Sequence, residues 1–438
     1  MDKYSDFINK VRDISLNNQK TFSADIIPQE EDIEWTATLR LLESEGFIVA
    51  AVTDKFPTGV YCVEGLTNEG KLKGWKLENE IPKELIVTNI GWPFLSKKPE
   101  APLTNIQGLK VVPHHVMVVS FCREGSWTKS VFIPHGSLSV MVADTTGIQY
   151  GQSAFEGACA MRNDQGQVFG FRLDQNSTRF DKSIRSLDLP RIDIQAMKQV
   201  IEDVISYNAD YVPQDGKLYI RPSVSGLNGG LGIIVPETSI ITIEIAAFGN
   251  YLPESIAVEG LKYVHRPPSG ANKIAPNYGA SFKIKHGVKD RGYNDYLSFD
   301  EEGNVEEVST CAVGFIDEVG DFIIPPVQDE IDNKDRHILP SITRKSTIEI
   351  LKTFGKNVII RDVSFDEVKK MKGMFTMGNA VGVLHVSKLC MRKTADDQGE
   401  IIDMNDEVIR DKIFDIRDKI YKSRVGELEG FEHWAKKI

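Results

Sequence analysis

Cysteine is scarce and scattered in this chain of 438 residues. Cys62, Cys122, Cys159, Cys311 and Cys390 are odd in number and show no CxxC spacing. That pattern fits reduced thiols better than a disulfide framework or a zinc site. No apolar run reaches the roughly 18 residues of a membrane-spanning helix. The N-terminus, MDKYSDFINKVRDISLNNQK, lacks the apolar centre of a signal peptide, so a cytoplasmic protein is expected. Positive charge is also in short supply: 52 Lys and Arg stand against 63 Asp and Glu, for a net charge of −11. This argues against a general binder of nucleic acid or of anionic membranes. HExxH is absent, and the adjacent His114 and His115 point to opposite faces of a strand, where they cannot chelate one ion. No metal site is expected. What remains is an ordinary globular composition, 41% hydrophobic and 26% charged, with length for about two to four domains.

Three stretches are expected. Residues 1–105 mix helix-like segments (3–16 and 35–45) with strand-like ones from Phe47 and from Gly59, and end in the Pro-rich WPFLSKKPEAPLTN, a linker signal. A second stretch, 106–250, is strand-rich at LKVVPHHVMVVSF, SVFIPHGSLSVMVAD, KLYIRPSV and SIITIEIAAF. Helices are predicted at Asp174–Leu187, with Asp174 as cap, and at Asp193–Tyr207, with Ala196, Val200, Ile201 and Val204 on its apolar side. The segment around Gly249 to Glu254 reads as a hinge. In the third, 256–438, Glu306–Ile316 alternates like one strand and Ile342–Gly355 reads as a helix ended by Gly355. NVIIRDVS and GVLHVSKL read as strands, and Ser364 to Glu367 form a capping box. Ile409, Ile413, Ile416 and Ile420 stripe a C-terminal helix. A mixed α/β or α+β fold follows.

The glycine cluster Ser225–Gly232 is not a phosphate loop. No Lys-Ser/Thr follows its last glycine, and it lies between two strand-like segments, so a hairpin loop is the better reading. More informative is SGANKIAPNYGASF, Ser269–Phe282, which holds Lys273 in a stretch of small residues. Taken alone, Lys273 reads as a solvated loop lysine. Its meaning changes beside YGQSAFEGACAMR (Tyr150–Arg162), VFGFRLDQNSTRF (Val168–Phe180), LYIRPSVSG (Leu218–Gly226), VEEVSTC (Val305–Cys311) and LPSITRKS (Leu339–Ser346).

In this order the six blocks resemble the signatures of branched-chain amino acid aminotransferases, members of the fold-type IV pyridoxal 5'-phosphate (PLP) enzymes. The family patterns are YGxxxFEG, FRPxxNxxRM, YIRP, KxGGNYxxS, EVGTMN and LPGVTR. The resemblance implies a small α/β domain over 106–250 and a larger, β-barrel-like domain over 256–438 that carries the Schiff-base lysine, with 1–105 as an N-terminal extension of unassigned role. It implies a homodimer in which one subunit completes its partner's pocket. The activity implied is transfer of an amino group between a branched-chain or related hydrophobic L-amino acid and 2-oxoglutarate, by a ping-pong mechanism.

The resemblance also assigns residues. Lys273 matches the Schiff-base and proton-shuttling lysine, a role that a desolvated amine of lowered pKa would suit. Tyr278 matches the phenol beside the cofactor oxygen. Glu307 matches the carboxylate at the pyridine nitrogen, while Glu306 would point away and stay solvated. Arg172 matches the phosphate arginine, joined by the N–H groups of Ile342 and Thr343 at a helix N-terminus. Arg179, the second arginine of its block, reads as a structural salt-bridge former. Arg221 and Tyr219 match the substrate-carboxylate site, and Tyr150, Phe155, Gly157 and Thr310 match pocket positions.

The chain departs from the pattern at several places. The family's GTA turn becomes Gly378-Asn379-Ala380, leaving Asn379 at the cofactor and Ala380 at the substrate. EVGTMN becomes EVSTCA, and KxGGNY becomes KIAPNY, with Pro276 expected to stiffen a loop. Two competing readings stay open. One is another fold-type IV enzyme, a D-amino acid aminotransferase or an aminodeoxychorismate-type lyase. The other is a non-catalytic scaffold that docks a partner through 1–105.

Overall fold

The computed structural model describes residues 48–52, 61–66, 109–110, 116–123, 126–127, 131–134, 145–228, 232–236, 238–249 and 253–438. The helices expected at 3–16 and 35–45, the Pro-rich linker, His114 and His115 lie outside the described residues, as does most of the segment expected to act as a hinge. Within the first hundred residues Ile48–Val52 and Tyr61–Leu66 pair antiparallel, which matches the two strand-like segments there.

The first large sheet is antiparallel throughout. Its order is Ala435–Lys437, Val168–Phe171, Ala158–Arg162, Gly216–Asn228, Thr238–Gly249, Val116–Arg123 and Ser126–Trp127. Gly216–Asn228 and Thr238–Gly249 are long antiparallel neighbours, so Ser225–Asn228 of the glycine cluster belong to the first strand, and 229–231 lie outside the described residues. Two helices cover this sheet, α1 (Leu173–Arg185) and α2 (Ile194–Tyr207). Asp193 caps α2 by accepting from the N–H groups of Gln195 and Ala196. The apolar side of α2 is Met197, Val200, Ile201, Val204 and Ile205; Ala196 is exposed, because Met197 takes the inward position. Asp174 is not the cap of α1 but lies in its first turn. The cap position belongs to Arg172, whose φ of +47° is in the left-handed region that a non-glycine residue rarely adopts. The C-terminal segment fixes this conformation, since Arg172 N–H donates to Trp434 O at 2.9 Å.

The second sheet is mixed. It runs Val305–Val308, Asp295–Phe299, Ser255–Leu261, Gly382–Arg392, Gly373–Gly378, Ala312–Ile316, Phe322–Ile324 and Val358–Ile360. The edge strand Val305–Val308 and the sixth strand Ala312–Ile316 are separated by only three residues. Val308 N–H donates to Cys311 O at 3.1 Å. A flat sheet cannot hold two strands five places apart on so short a connection, so this sheet curls into a half-barrel. The single strand expected over Glu306–Ile316 is thus two strands broken at Ser309–Cys311. Both are buried along their whole length, which removes the solvated face that alternation implies.

Three helices complete this half. The helix α3 (Pro276–Asp290) carries Pro276 at its first turn, where a missing N–H costs nothing; Pro276 starts a helix instead of stiffening a loop. The helix α4 (Ile342–Thr353) is capped by Ser341, which accepts from Arg344 N–H, and Gly355 follows its end with a φ of +70°. Ser364 caps the short turn Phe365–Val368. The helix α5 (Glu407–Arg424) buries the stripe Ile409, Ile413, Ile416 and Ile420. One apolar cluster joins that stripe to Phe375, Ile350, Phe171 and Trp434, and so ties the C-terminal helix to both sheets.

Candidate active site

The site forms where the two sheets meet. Lys273 precedes a β-bridge between Ile274 and Ala154, and its carbonyl accepts from Phe155 N–H at 3.1 Å. Its own N–H donates to Ser183 Oγ at 2.9 Å. The lysine backbone is therefore pinned to the first sheet and to α1 before the chain turns into α3. Tyr278 stands on the first turn of α3, and Lys273 Nζ donates to its Oη at 3.2 Å. The Phe155 and Tyr278 rings lie 5.0 Å apart, with the Lys273 amine 4.9 Å from the Phe155 ring centre. Burial works against the charge of this amine. Tyr278, Tyr219 and Glu156 outweigh that cost and the opposing Arg179, and hold its pKa above the ordinary lysine value. The lowered pKa expected from desolvation alone is thus reversed by the surrounding oxygens.

Below the lysine lies a pair that the motif reading does not single out. Glu156, fully buried, accepts from Arg179 through both oxygens, at 2.5 and 2.8 Å, and from Gly157 N–H at 2.7 Å. Asn176 also donates to it. Burial would raise the Glu156 carboxyl, but Arg179, Lys273 and the Gly157 N–H more than offset it and set its pKa below the ordinary range. Arg179 donates further to Pro340 O, just ahead of α4. It is the structural salt bridge expected, and the signal for its partner is the Glu of the FEG triplet.

Opposite stand two more carboxyls. Glu307 Oε1 is 2.8 Å from Arg266 Nη2 and accepts from Leu339 N–H at 3.4 Å. Desolvation raises its pKa, against the opposing pull of Arg266. Glu306 is not solvated: it is 3% exposed, accepts from Arg266 N–H at 2.7 Å, and faces His337. Arg266 thus serves both carboxyls, a role no local signal around it announces.

The phosphate-type cradle is built from α4 and the turn Gly378-Asn379-Ala380. The first N–H groups of α4, at Ile342 and Thr343, have no acceptor within the helix. Asn379 bridges the two halves of the site, with Nδ2 donating to Gly157 O at 2.6 Å and Oδ1 accepting from Thr343 Oγ1 at 2.8 Å. Arg172 reaches the same helix one turn on. It donates to Ser346 Oγ at 2.8 Å, pairs with Glu349 at 3.3 Å and stacks 4.1 Å over Trp434.

Of the remaining expected residues, Tyr219 and Arg221 lie together, Arg221 Nη2 donating to Tyr219 Oη at 2.8 Å and its guanidinium sitting 4.6 Å over Phe155. Arg221 Nε is buried without a partner. Gly157 packs directly against Tyr219: a Cβ there would lie 2.2 Å from Tyr219 Oη and would force that side chain to shift. Tyr150 stands apart, 44% exposed beyond the turn Thr146–Gln149. Thr310 is exposed on the Ser309–Cys311 turn, its hydroxyl 3.8 Å from Cys311 Sγ, and Ala380 is half-buried.

Residues 153–389 match the family model described as amino-transferase class IV. The chain belongs to the class IV aminotransferase family. The match covers the elements that build the site, from Phe155 to the strand Gly382–Arg392. A probable branched-chain-amino-acid aminotransferase of Staphylococcus aureus (strain MRSA252) is 30% identical to this aminotransferase over 356 residues, 76% of this chain and 94% of the relative. Branched-chain-amino-acid aminotransferase 5, chloroplastic, of Arabidopsis thaliana is 29% identical over 304 residues, 67% of this chain and 71% of the relative. Among solved structures, the branched-chain aminotransferase of Thermoproteus uzoniensis with norvaline has a TM-score of 0.60 at 20% identity, covering 74% of this chain and 99% of that one. The branched-chain amino acid aminotransferase of Thermobaculum terrenum in its PLP-bound form has a TM-score of 0.57 at 19% identity, covering 74% of this chain and 98% of that one. The fold is therefore that of the fold-type IV aminotransferases, and this class IV aminotransferase is an enzyme. Among the described residues no helix is long and apolar enough to cross a membrane.

Proposed function

We propose that this aminotransferase moves an amino group between a branched-chain or related hydrophobic L-amino acid and 2-oxoglutarate, using pyridoxal phosphate. One observation carries the reading: a single amine, Lys273, is enclosed by Phe155 and Tyr278 and lies 3.2 Å from the Tyr278 phenol. The rest of the donor set suits the cofactor from end to end. The helix N-terminus at Ile342 and Thr343 offers N–H groups to a phosphate, and Arg172, paired with Glu349, reaches the same helix one turn on. Glu307 offers a carboxyl to a ring nitrogen, where a carboxylate favours the protonated form of the ring. The missing side chain at Gly157 makes room for the Tyr219 phenol.

Bound through the Lys273 amine, pyridoxal phosphate supplies an electron-withdrawing ring that stabilises negative charge at the substrate Cα. The protein's own part is to move and hold protons and to orient the substrate. Once the substrate's own amino group has displaced it from the cofactor, Lys273 Nζ would take the Cα proton and return it to the carbon on the other side of the substrate nitrogen, a general acid/base task contributing roughly 10²- to 10⁴-fold. Tyr278 holds the amine between these transfers. The Glu156–Arg179 pair fixes the floor on which both stand. Arg221, with its unpartnered Nε and its bond to Tyr219, receives a carboxylate, which suits the second carboxylate of 2-oxoglutarate. The names of the Staphylococcus aureus and Arabidopsis thaliana relatives support the branched-chain preference. We further propose that it acts in the cytoplasm as a homodimer.

Initial-rate kinetics with L-leucine and 2-oxoglutarate test the reading. Parallel double-reciprocal lines are expected. Intersecting lines, or turnover with D-leucine alone, would overturn it.

A further inference from the structure

One cavity lies outside the site just described. Its volume is about 390 Å³, and Lys217, Arg417 and Arg424 line it together with Met161, Val383 and Phe414. None of Lys273, Tyr278, Glu307 or Asn379 does. Lys217 comes from the first sheet, and the two arginines stand two turns apart on α5.

Two of these cations are buried without a carboxylate partner. Lys217 is 5% exposed and Arg424 2%. Neither has an ion pair with a carboxylate among the described residues. Arg424 Nη2 meets only neutral acceptors, Thr343 Oγ1 at 3.3 Å and Gly378 O at 3.4 Å, and its Nε is buried without a partner. Three other titratable groups line the same cavity. Asp418 is engaged by Lys422 at 2.8 Å, Glu254 lies beyond ion-pair distance of the three cations, and Tyr421 is exposed. Cys159 lies near Lys217 as well. Burial first, then Arg424 and Arg417, push Lys217 down to about 7. Like charges buried side by side are costly unless an anion joins them.

We propose that this cavity binds a small oxyanion, a carboxylate or a phosphate group, between Lys217, Arg417 and Arg424. The site is separate from the catalytic pocket but touches its cradle. Arg424 bonds to Thr343 and Gly378, the residues that flank Asn379, so an anion drawn against Arg424 acts on the position of α4.

Isothermal titration of the pyridoxal phosphate-saturated enzyme tests this, with inorganic phosphate and malonate as separate probes in chloride buffer. Saturating the catalytic cradle first removes it as a competing phosphate site. Saturable binding of at least one probe is expected, at least tenfold weaker in Lys217→Met and in the exposed Arg417→Gln, and weakening as the pH rises past the titration of Lys217. Binding of phosphate alone assigns a phosphate group, and binding of malonate alone a carboxylate. No saturable binding of either probe overturns the proposal, as does binding that both variants leave unchanged. A chain that takes up no pyridoxal phosphate still permits the comparison of variants, so failure of the functional reading is distinguishable from failure of this one.

Discussion

The Lys273 amine donates a hydrogen bond to the phenol of Tyr278 at 3.2 Å, across the point where a bridge to the first sheet becomes the first turn of α3. The distance is set by backbone, because both ends are anchored before the side chains meet. Lys273→Ala is expected to lower transamination by roughly 10²- to 10⁴-fold or more. Borohydride reduction followed by mass spectrometry should find cofactor covalently retained on the wild type and absent from the variant. Tyr278→Phe should keep the attachment and lose part of the rate.

Arg179 and Glu156 form a buried pair whose separation leaves one charge without a partner. Arg179→Met is expected to cost about 3–5 kcal/mol of stability, read by denaturant unfolding. The pair also gives an acid limb. Glu156 has a lower pKa in the fold than in the unfolded chain, so the unfolded chain binds its proton first as the pH drops. Its contribution is complete above the ordinary carboxylate value of 4.5 and is lost as pH falls through the folded value. Arg179→Met should flatten that limb.

Lys217 gives the opposite slope. Its pKa is about 7 in the fold against an ordinary 10.5. Between those values the unfolded chain holds a proton that the folded chain has released, so stability rises with pH across this window. Lys217→Met should remove the rise and leave the protein more stable than wild type below pH 7. Melting temperatures taken across the window in buffers free of oxyanions measure it.

Gly157→Ala places a methyl group 2.2 Å from Tyr219 Oη. Tyr219 must move, and Arg221, bonded to it at 2.8 Å, moves with it. The expected result is a raised KM for 2-oxoglutarate, by about tenfold or more for a lost charge-assisted bond, with a smaller change for L-leucine. Equal changes for both substrates would detach Arg221 from the carboxylate role.

Some of this is legible in the chain and some is not, for physical reasons. Lys273, Tyr278 and Glu307 sit in short blocks that the family resemblance picks out, and Lys273 and Tyr278 lie in hydrogen-bond contact. The stripe of isoleucines on α5 and the cap at Asp193 are also local. Alternation misplaces Glu306 because it assigns one face to solvent, and the curled sheet covers both. The break at Ser309–Cys311 follows from closing that sheet, which no window of sequence contains. Arg266, Arg424 and Lys217 act through residues far away in the chain, so their roles emerge only once the sheets and α5 are assembled. The Lys273 pKa belongs to the same class, since its direction depends on tyrosines from two separate elements.

The central claim is that Lys273 carries the Cα proton of an L-amino acid. Exchange of the Cα proton of L-leucine with D2O, followed by NMR without any 2-oxo acid present, measures that step alone. The account predicts exchange with wild-type enzyme and L-leucine, none with D-leucine, and none above background with Lys273→Ala. Exchange that persists in Lys273→Ala, or that occurs with D-leucine and not with L-leucine, would contradict it.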